Sequence, residues 1–524
     1  MTADEVSLPH IILSPTNSFL RTHRYFIVSA LLFVCSFHIF SDNLQPIISL
    51  GAFFSFNRAL KKELFSLTSL LLIALPATFL IHPWLPETLH NFGGYNLAIC
   101  GLMTLAYCLR TVFLIGIIIS IHRILKKTIL GPLHLATGIS VFLAEIIIPN
   151  IFPWSFASTS IGWSSSASWA SIIGVNGLVI PLFLLMSLLD QTLELWQHKL
   201  RRASLLPASI LLSLTVVYHA GGHLMNKNTL SQENGHISIS AVQGNLDHQK
   251  KGNTQFNSIN LSLYRDLSRG SPKSDLLVWP ETTFPYPIPE TITSVEQTEH
   301  DPLPEATTNL LFGAIISTDN GMFYNAALLR SPMGNISGRY YKRGLMPFGE
   351  FIPLADYLPW LEQYFKKSMP LLTGQTPGII TLQTKDSLAK MAILICYEDL
   401  LPEISNKRIV EEEANLLLAI SNDGWFSDSS ALQQHNLLAR WRAIETRKSL
   451  VRVTNTGISS VSDPTGRQIK WIPENSVNIM RSNVYLYPGL TFFATWGNLP
   501  TLLTSCLLAI VALAHSWWSS RRDS

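Results

Sequence analysis

Met391-Ala392-Ile393-Leu394-Ile395-Cys396-Tyr397-Glu398-Asp399-Leu400 is an apolar run of strand length that ends abruptly in a polar turn. A thiol at such a junction has rigid support behind it and an open crevice in front, where α/β folds place reactive groups. A lone cysteine more often packs as a small hydrophobe. The rest of the chain has to decide between the two.

The setting is that of a membrane protein. Of 524 residues, 47% are hydrophobic and only 14% charged, against about 25% charged in soluble globular proteins. The mean hydropathy is +0.25. Apolar segments crowd into residues 25–219 and return at about 498–517. We therefore expect an N-terminal transmembrane bundle (1–220), a water-exposed domain (221–490), and a last transmembrane helix with its tail (491–524). The net charge of +3 is too small and scattered to point to nucleic acid. Residues 1–24 lack the apolar core and cleavage site of a removable signal peptide.

Candidate spans lie at about 25–41, 44–57, 64–82, 97–121, 134–152, 170–189 and 204–219. A crossing helix needs about 20 apolar residues, so the second and seventh are short. Charge placement favours them all the same. Lys and Arg gather in the N-terminal tail, at 58–62, 123–127 and 199–202, while 83–96 and 153–169 have none. Basic loops stay in the cytoplasm, and the alternation works only if all seven cross. Residues 221–490 then lie outside the cytoplasm, and an eighth helix returns Arg521 and Arg522 inside. Two charges fall within spans, Arg110 and Glu145. Such residues usually pair in a bundle interior, and a mutual pair is expected here.

Of the five cysteines, only Cys396 lies in the water-exposed stretch, which excludes an internal disulfide there. That stretch alternates strand-like segments (236–242, 276–279, 310–317, 326–329, 389–395, 415–421, 450–454, 457–462) with helical spacing at 255–267 and an amphipathic pattern at 430–447, with Leu432, Leu438, Trp441 and Ile444 on one side. Several strands end in polar turns, which fits an α/β sandwich better than a doubly wound sheet. Two such turns carry chemistry. Leu276-Leu277-Val278-Trp279-Pro280-Glu281 sets a carboxylate after a buried strand, a place suited to a general base. Tyr340-Tyr341-Lys342 sets an ammonium among aromatics before a Pro/Gly-rich loop. Alone, each reads as an ordinary surface charge.

Together, in the order Glu281, Lys342, Cys396, they resemble the nitrilase superfamily, which has a Glu-Lys-Cys triad at strand ends of an α-β-β-α sandwich. The match covers roughly 236–485 and includes Pro347-Phe348-Gly349-Glu350, Cys396-Tyr397-Glu398 and Ser421-Asn422-Asp423-Gly424-Trp425-Phe426. One branch, the bacterial apolipoprotein N-acyltransferases, carries a membrane bundle in front and one helix behind. The chain resembles that branch also in Gln243-Gly244-Asn245, Phe152-Pro153-Trp154, Gly174-Val175-Asn176-Gly177 and Gly489-Leu490-Thr491.

The resemblance implies that Cys396 attacks a phospholipid ester, phosphatidylethanolamine for example, and holds the acyl group as a thioester. Glu281 would take the thiol proton and Lys342 would stabilise the oxyanion. The acceptor would be the α-amine of the diacylglyceryl-cysteine of an apolipoprotein, in the bacterial inner membrane with the catalytic domain on its periplasmic side. Glu350, Tyr397 and Glu398 would be supporting residues, with no cofactor and no metal.

Two departures stand out. The family tryptophan after Gln-Gly-Asn is missing in Asp247-His248-Gln249-Lys250-Lys251-Gly252, and Ile146-Ile147-Ile148-Pro149 has no arginine after Glu145. His435 reads as a helix-surface histidine, without partners at zinc-ligand spacing. Two rivals remain: a membrane-anchored nitrilase-type amidase, and a transporter or receptor with an outer binding domain.

Overall fold

A computed structural model describes residues 15–247, 254–298, 300–304, 307–364, 371–375 and 378–522. The strands β1 (His236–Gln243), β2 (Leu276–Val278), β3 (Ile288–Pro289), β4 (Asn309–Ser317), β5 (Phe323–Arg330) and β6 (Ile336–Tyr341) lead into β7 (Ile379–Gln383) and β8 (Leu388–Ile395). Then come β9 (Leu416–Ser421), β10 (Ser449–Thr454), β11 (Ser459–Ser462), β12 (Gln468–Ile472) and β13 (Asn478–Tyr485). They form two mixed sheets. One runs β13-β1-β2-β4-β5-β6, with β3 beside β4, and the other β12-β11-β10-β9-β8-β7.

Period-two alternation builds the layers. On β8, Met391, Ile393 and Ile395 join Ile239, Val278, Leu311 and Leu418 in one core between the sheets. Ala392 and Leu394 turn the other way, against helices 402–412 and 431–446. On the first sheet, Leu277 and Trp279 pack outward against Leu261 and Tyr264 of helix 257–269. The result is the expected α-β-β-α sandwich. β8 and β9 read as continuous apolar runs because both of their faces are covered.

Helices stand at all eight apolar positions. By length and composition, Leu97–Leu125, Val179–Gln197, Arg201–Leu230 and Leu499–Arg522 are each able to cross a membrane. A fifth candidate is the pair Leu67–Ile81 and Leu85–Gly93, bent by 54°. Ala136–Ile147 is apolar but short. The expected span at 170–189 is broken at Gly174, whose φ of +70° suits glycine. A Cβ there would meet the Phe493 ring at 2.2 Å.

Arg110 and Glu145 do not pair. Helix 136–147 ends two residues past Glu145, and the irregular backbone beyond it satisfies both charges. Arg110 donates to the carbonyls of Pro149 (2.8 Å) and Ile148 (3.3 Å). Glu145 accepts from Phe156 N–H (2.7 Å), Ser155 Oγ (2.8 Å) and Asn176 Nδ2 (2.8 Å). Glu145 lies near the end of its helix, and Arg110, midway along helix 97–125, binds the carbonyls just past that end.

Helix 431–446 is not amphipathic. It lies between the sandwich and the helical region, and apart from Gln433 all its residues are buried. Trp441 Nε1 donates to Ser158 O (3.0 Å), and Gln434 bridges Trp84 Nε1 and Ile81 O. Trp441 is fully buried. Trp441→Ala should therefore cost about 3–5 kcal/mol of stability, read as a fall in thermal unfolding midpoint of the purified protein. A cost under about 0.5 kcal/mol, typical of surface positions, would contradict this placement.

Candidate active site

Glu281 follows β2 on a tight turn, with Thr282 at φ +47°. The turn presses against β4 at Gly313, where a Cβ would sit 2.4 Å from Thr282 N and 2.6 Å from Glu281 Cα. Only glycine admits that approach. The Glu281 carboxylate then accepts from Asn325 Nδ2 (2.8 Å) and from the N–H of Asn422 (2.8 Å). Asn422 sits at the end of β9, so the carboxylate ties the two sheets together where their strands end.

Lys342 leaves the end of β6 and is buried, with 1% exposure. Its Nζ lies 2.7 Å from Glu350 Oε1 and 3.5 Å from Glu281 Oε1. Burial opposes the ammonium charge, but Glu350 and Glu281 outweigh it and raise the pKa. The other Glu350 oxygen accepts from Met346 N–H at 2.7 Å, which fixes the loop beyond the lysine. Lys342 is thus a permanent cation held between two carboxylates.

Cys396 opens a single 3-10 turn, Cys396–Leu400, with φ +52°. The positive φ breaks the strand alternation at the thiol, and such strain at a strand end is typical of functional positions. Burial pushes the thiol pKa well above the ordinary value, Glu281 adds to the rise, and Lys342 opposes it. The resting residue is a protonated thiol beside a carboxylate and an ammonium. That arrangement favours removing the proton during attack over storing a thiolate.

Glu281, Lys342, Glu350, Cys396 and Tyr397 line one cavity of about 460 Å³. Its other wall comes from the helical region and includes Trp84, Phe92, Phe152 and Trp154. Tyr397 closes the join, its hydroxyl donating to Ile151 O at 2.5 Å. Glu398 does not reach the cavity. It points inward, fully buried, and accepts from Tyr340 OH (2.6 Å) and from the N–H groups of Arg343 (2.7 Å), Gly344 (2.8 Å) and Ile395 (2.7 Å). It therefore clamps the lysine loop to the strand that carries the cysteine.

His435 is not on a helix surface. It is buried, lines the same cavity, and sits among Asp399, Asp423 and Arg452. The signal that could have found this cluster is Arg452 itself, a charge inside the apolar run Leu450–Val453, which demands buried counter-ions. Among the described residues, no group of three or more His, Cys, Asp or Glu is arranged to hold a metal. The position of the missing tryptophan, 248–253, lies outside the described residues.

A family model described as "Carbon-nitrogen hydrolase" matches residues 239–485, which is the sandwich. The apolipoprotein N-acyltransferase of Vibrio vulnificus is 27% identical over 466 residues, covering 84% of this chain and 86% of its own length. That of Pseudomonas syringae pv. tomato is 28% identical over 446 residues, covering 83% and 84%. That of Geobacter metallireducens is 31% identical over 271 residues, half of each chain. The sandwich is thus similar to the carbon-nitrogen hydrolases, and the chain's likeness to the apolipoprotein N-acyltransferases extends into the helices around it.

Proposed function

We propose that the chain is a phospholipid:apolipoprotein N-acyltransferase that works through a thioester on Cys396. The observation that carries this reading is the shared cavity. The nucleophile, base and cation of a nitrilase-type site face a wall built by the helices, where an acyl chain can lie. Relatives that cover more than four-fifths of the chain are named apolipoprotein N-acyltransferase.

In the first half-reaction Glu281 takes the thiol proton as sulfur attacks the ester carbonyl of the phospholipid. Lys342 faces the oxyanion. The carbon–oxygen bond breaks, and the proton on Glu281 passes to the departing lysophospholipid hydroxyl. In the second half the α-amine of diacylglyceryl-cysteine attacks the thioester and Glu281 takes an amine proton; the carbon–sulfur bond breaks, and that proton passes to the departing sulfur, re-forming the thiol. Splitting one acyl transfer in two lets each large substrate use the site in turn. Glu350 and Glu398 hold Lys342 and its loop, and Tyr397 holds the nucleophile turn against the helices.

The same proposal includes a cytoplasmic (inner) membrane location, eight crossings and an active site on the outer face. It is supported by four or five helices of sufficient length and by the alternation of basic loops. Phosphatidylethanolamine as donor and diacylated lipoproteins as acceptors complete it.

With labelled phospholipid, mass spectrometry should find an acyl adduct on the Cys396 peptide. Cys396→Ala should abolish it, and Glu281→Gln should slow its formation by about 10²–10⁴-fold. Fatty acid released at the full rate without an amine acceptor would favour the hydrolase instead, and no adduct at all would sink the reading. The raised thiol pKa predicts little thiolate near neutrality. Alkylation of Cys396 by iodoacetamide should therefore keep rising beyond the ordinary thiol range of about 8.5. A plateau below it would show a stored thiolate.

A further inference from the structure

Four buried ionisable groups stand behind the nucleophile with no part in the chemistry so far. Arg452 Nε lies 2.9 Å from Asp399 Oδ2, and its terminal nitrogen 2.9 Å from Asp423 Oδ2. His435 Nε2 lies 2.8 Å from Asp399 Oδ1. Its Nδ1 lies 3.1 Å from Asp423 Oδ1, near enough for charge attraction although off the hydrogen-bonding line. Asp399, Asp423 and Arg452 are each 0% exposed, and His435 is 6% exposed.

Each member sits on a different piece of the site. Asp399 is on the one-turn helix that begins at Cys396. Asp423 follows Asn422, whose N–H binds Glu281. Arg452 is inside β10, and His435 is on helix 431–446, at the seam with the helical region. We infer that His435, as an imidazolium, is a positioning residue that locks the cysteine turn to the Asn422–Asp423 turn. It thereby fixes the distance between thiol and base.

Charge balance supports the cationic form. Two carboxylates face one guanidinium, so a neutral cluster needs one more positive charge, and an uncompensated buried charge is costly. The groups acting on the imidazole are Asp399 from the end of β8, Asp423 from the end of β9, and Arg452 from β10; the Phe426 ring on its other side is uncharged. Burial and Arg452 oppose protonation, but the two carboxylates win and raise His435 to about 9. Its stabilisation is fully present below the unfolded histidine value of about 6.5 and is lost as pH rises through about 9. Above that point the cluster carries a net negative charge. Asp423 already acts to raise the Cys396 pKa, so the loss works against the nucleophile as well as loosening its turn.

This inference rests on the thioester reading, and the test separates the two. Acyl-enzyme formation from labelled phosphatidylethanolamine is followed across pH in the full-length protein in lipid nanodiscs, at the level of the Cys396 peptide. Wild-type protein should lose rate above about pH 9. Thiol ionisation cannot cause that fall, because it would raise the rate. His435→Gln should slow acylation about 100-fold, as expected for a displaced reacting pair, with its dependence on phospholipid concentration unchanged.

His435→Arg carries a charge that does not titrate in this range, and should recover part of the rate without the alkaline fall. If His435→Gln does not fold, His435→Arg and the wild-type profile decide the matter alone. Acylation in His435→Gln at the wild-type rate, or an alkaline fall that survives in His435→Arg, would overturn the inference. No adduct in the wild-type protein would instead overturn the thioester reading.

Discussion

A buried ammonium has to be neutralised where it stands, and much of the catalytic domain can be read as the solution to that problem for Lys342. Its two carboxylate neighbours come from different places, Glu281 from the end of β2 and Glu350 from the loop beyond β6. Each carboxylate is in turn fixed by donors of its own, Asn325 and the Asn422 N–H for one and the Met346 N–H for the other. The cation therefore draws strand ends of both sheets to one point, and the thiol of Cys396 lies in the resulting field. Without the lysine, two buried carboxylates would be left without a shared counter-ion.

The second organising element is helix 431–446. Its sequence looks amphipathic because Arg440, Arg442 and Glu445 look like surface residues. In the fold each finds a partner: Arg440 on Gly466 O, Arg442 on Leu400 O, and Glu445 on the Val175 N–H. That N–H lies just beyond the break at Gly174. A glycine kink in the helical region, a buried glutamate and the catalytic sandwich thus form one continuous set of contacts.

What could be read in advance follows from this. β8 and β9 were legible because strands covered on both faces are apolar throughout. The eight helical positions were legible because hydropathy is a local property. β6 was missed, since Ile336-Ser337-Gly338-Arg339-Tyr340-Tyr341 shows no clean alternation. So were β12 and β13, at the sandwich margin, where much of each strand is exposed. Glu281, Lys342 and Cys396 were found through their order along the chain and its likeness to a family, and each was unremarkable alone. His435 was misread because its partners lie 36 and 12 positions away on other elements, and no periodicity along one helix can reveal them.

The burial of helix 431–446 limits how this protein can move. Trp441 is anchored on Ser158 at one end of the seam and Gln434 on Ile81 at the other, with His435 between them facing the nucleophile turn. A hinge between sandwich and helices would tear this seam and pull on the cysteine at the same moment. The two lipidic substrates of the proposed reaction would therefore enter and leave past a fixed frame. Under the proposed mechanism both half-reactions would meet one and the same arrangement of thiol, carboxylate and ammonium.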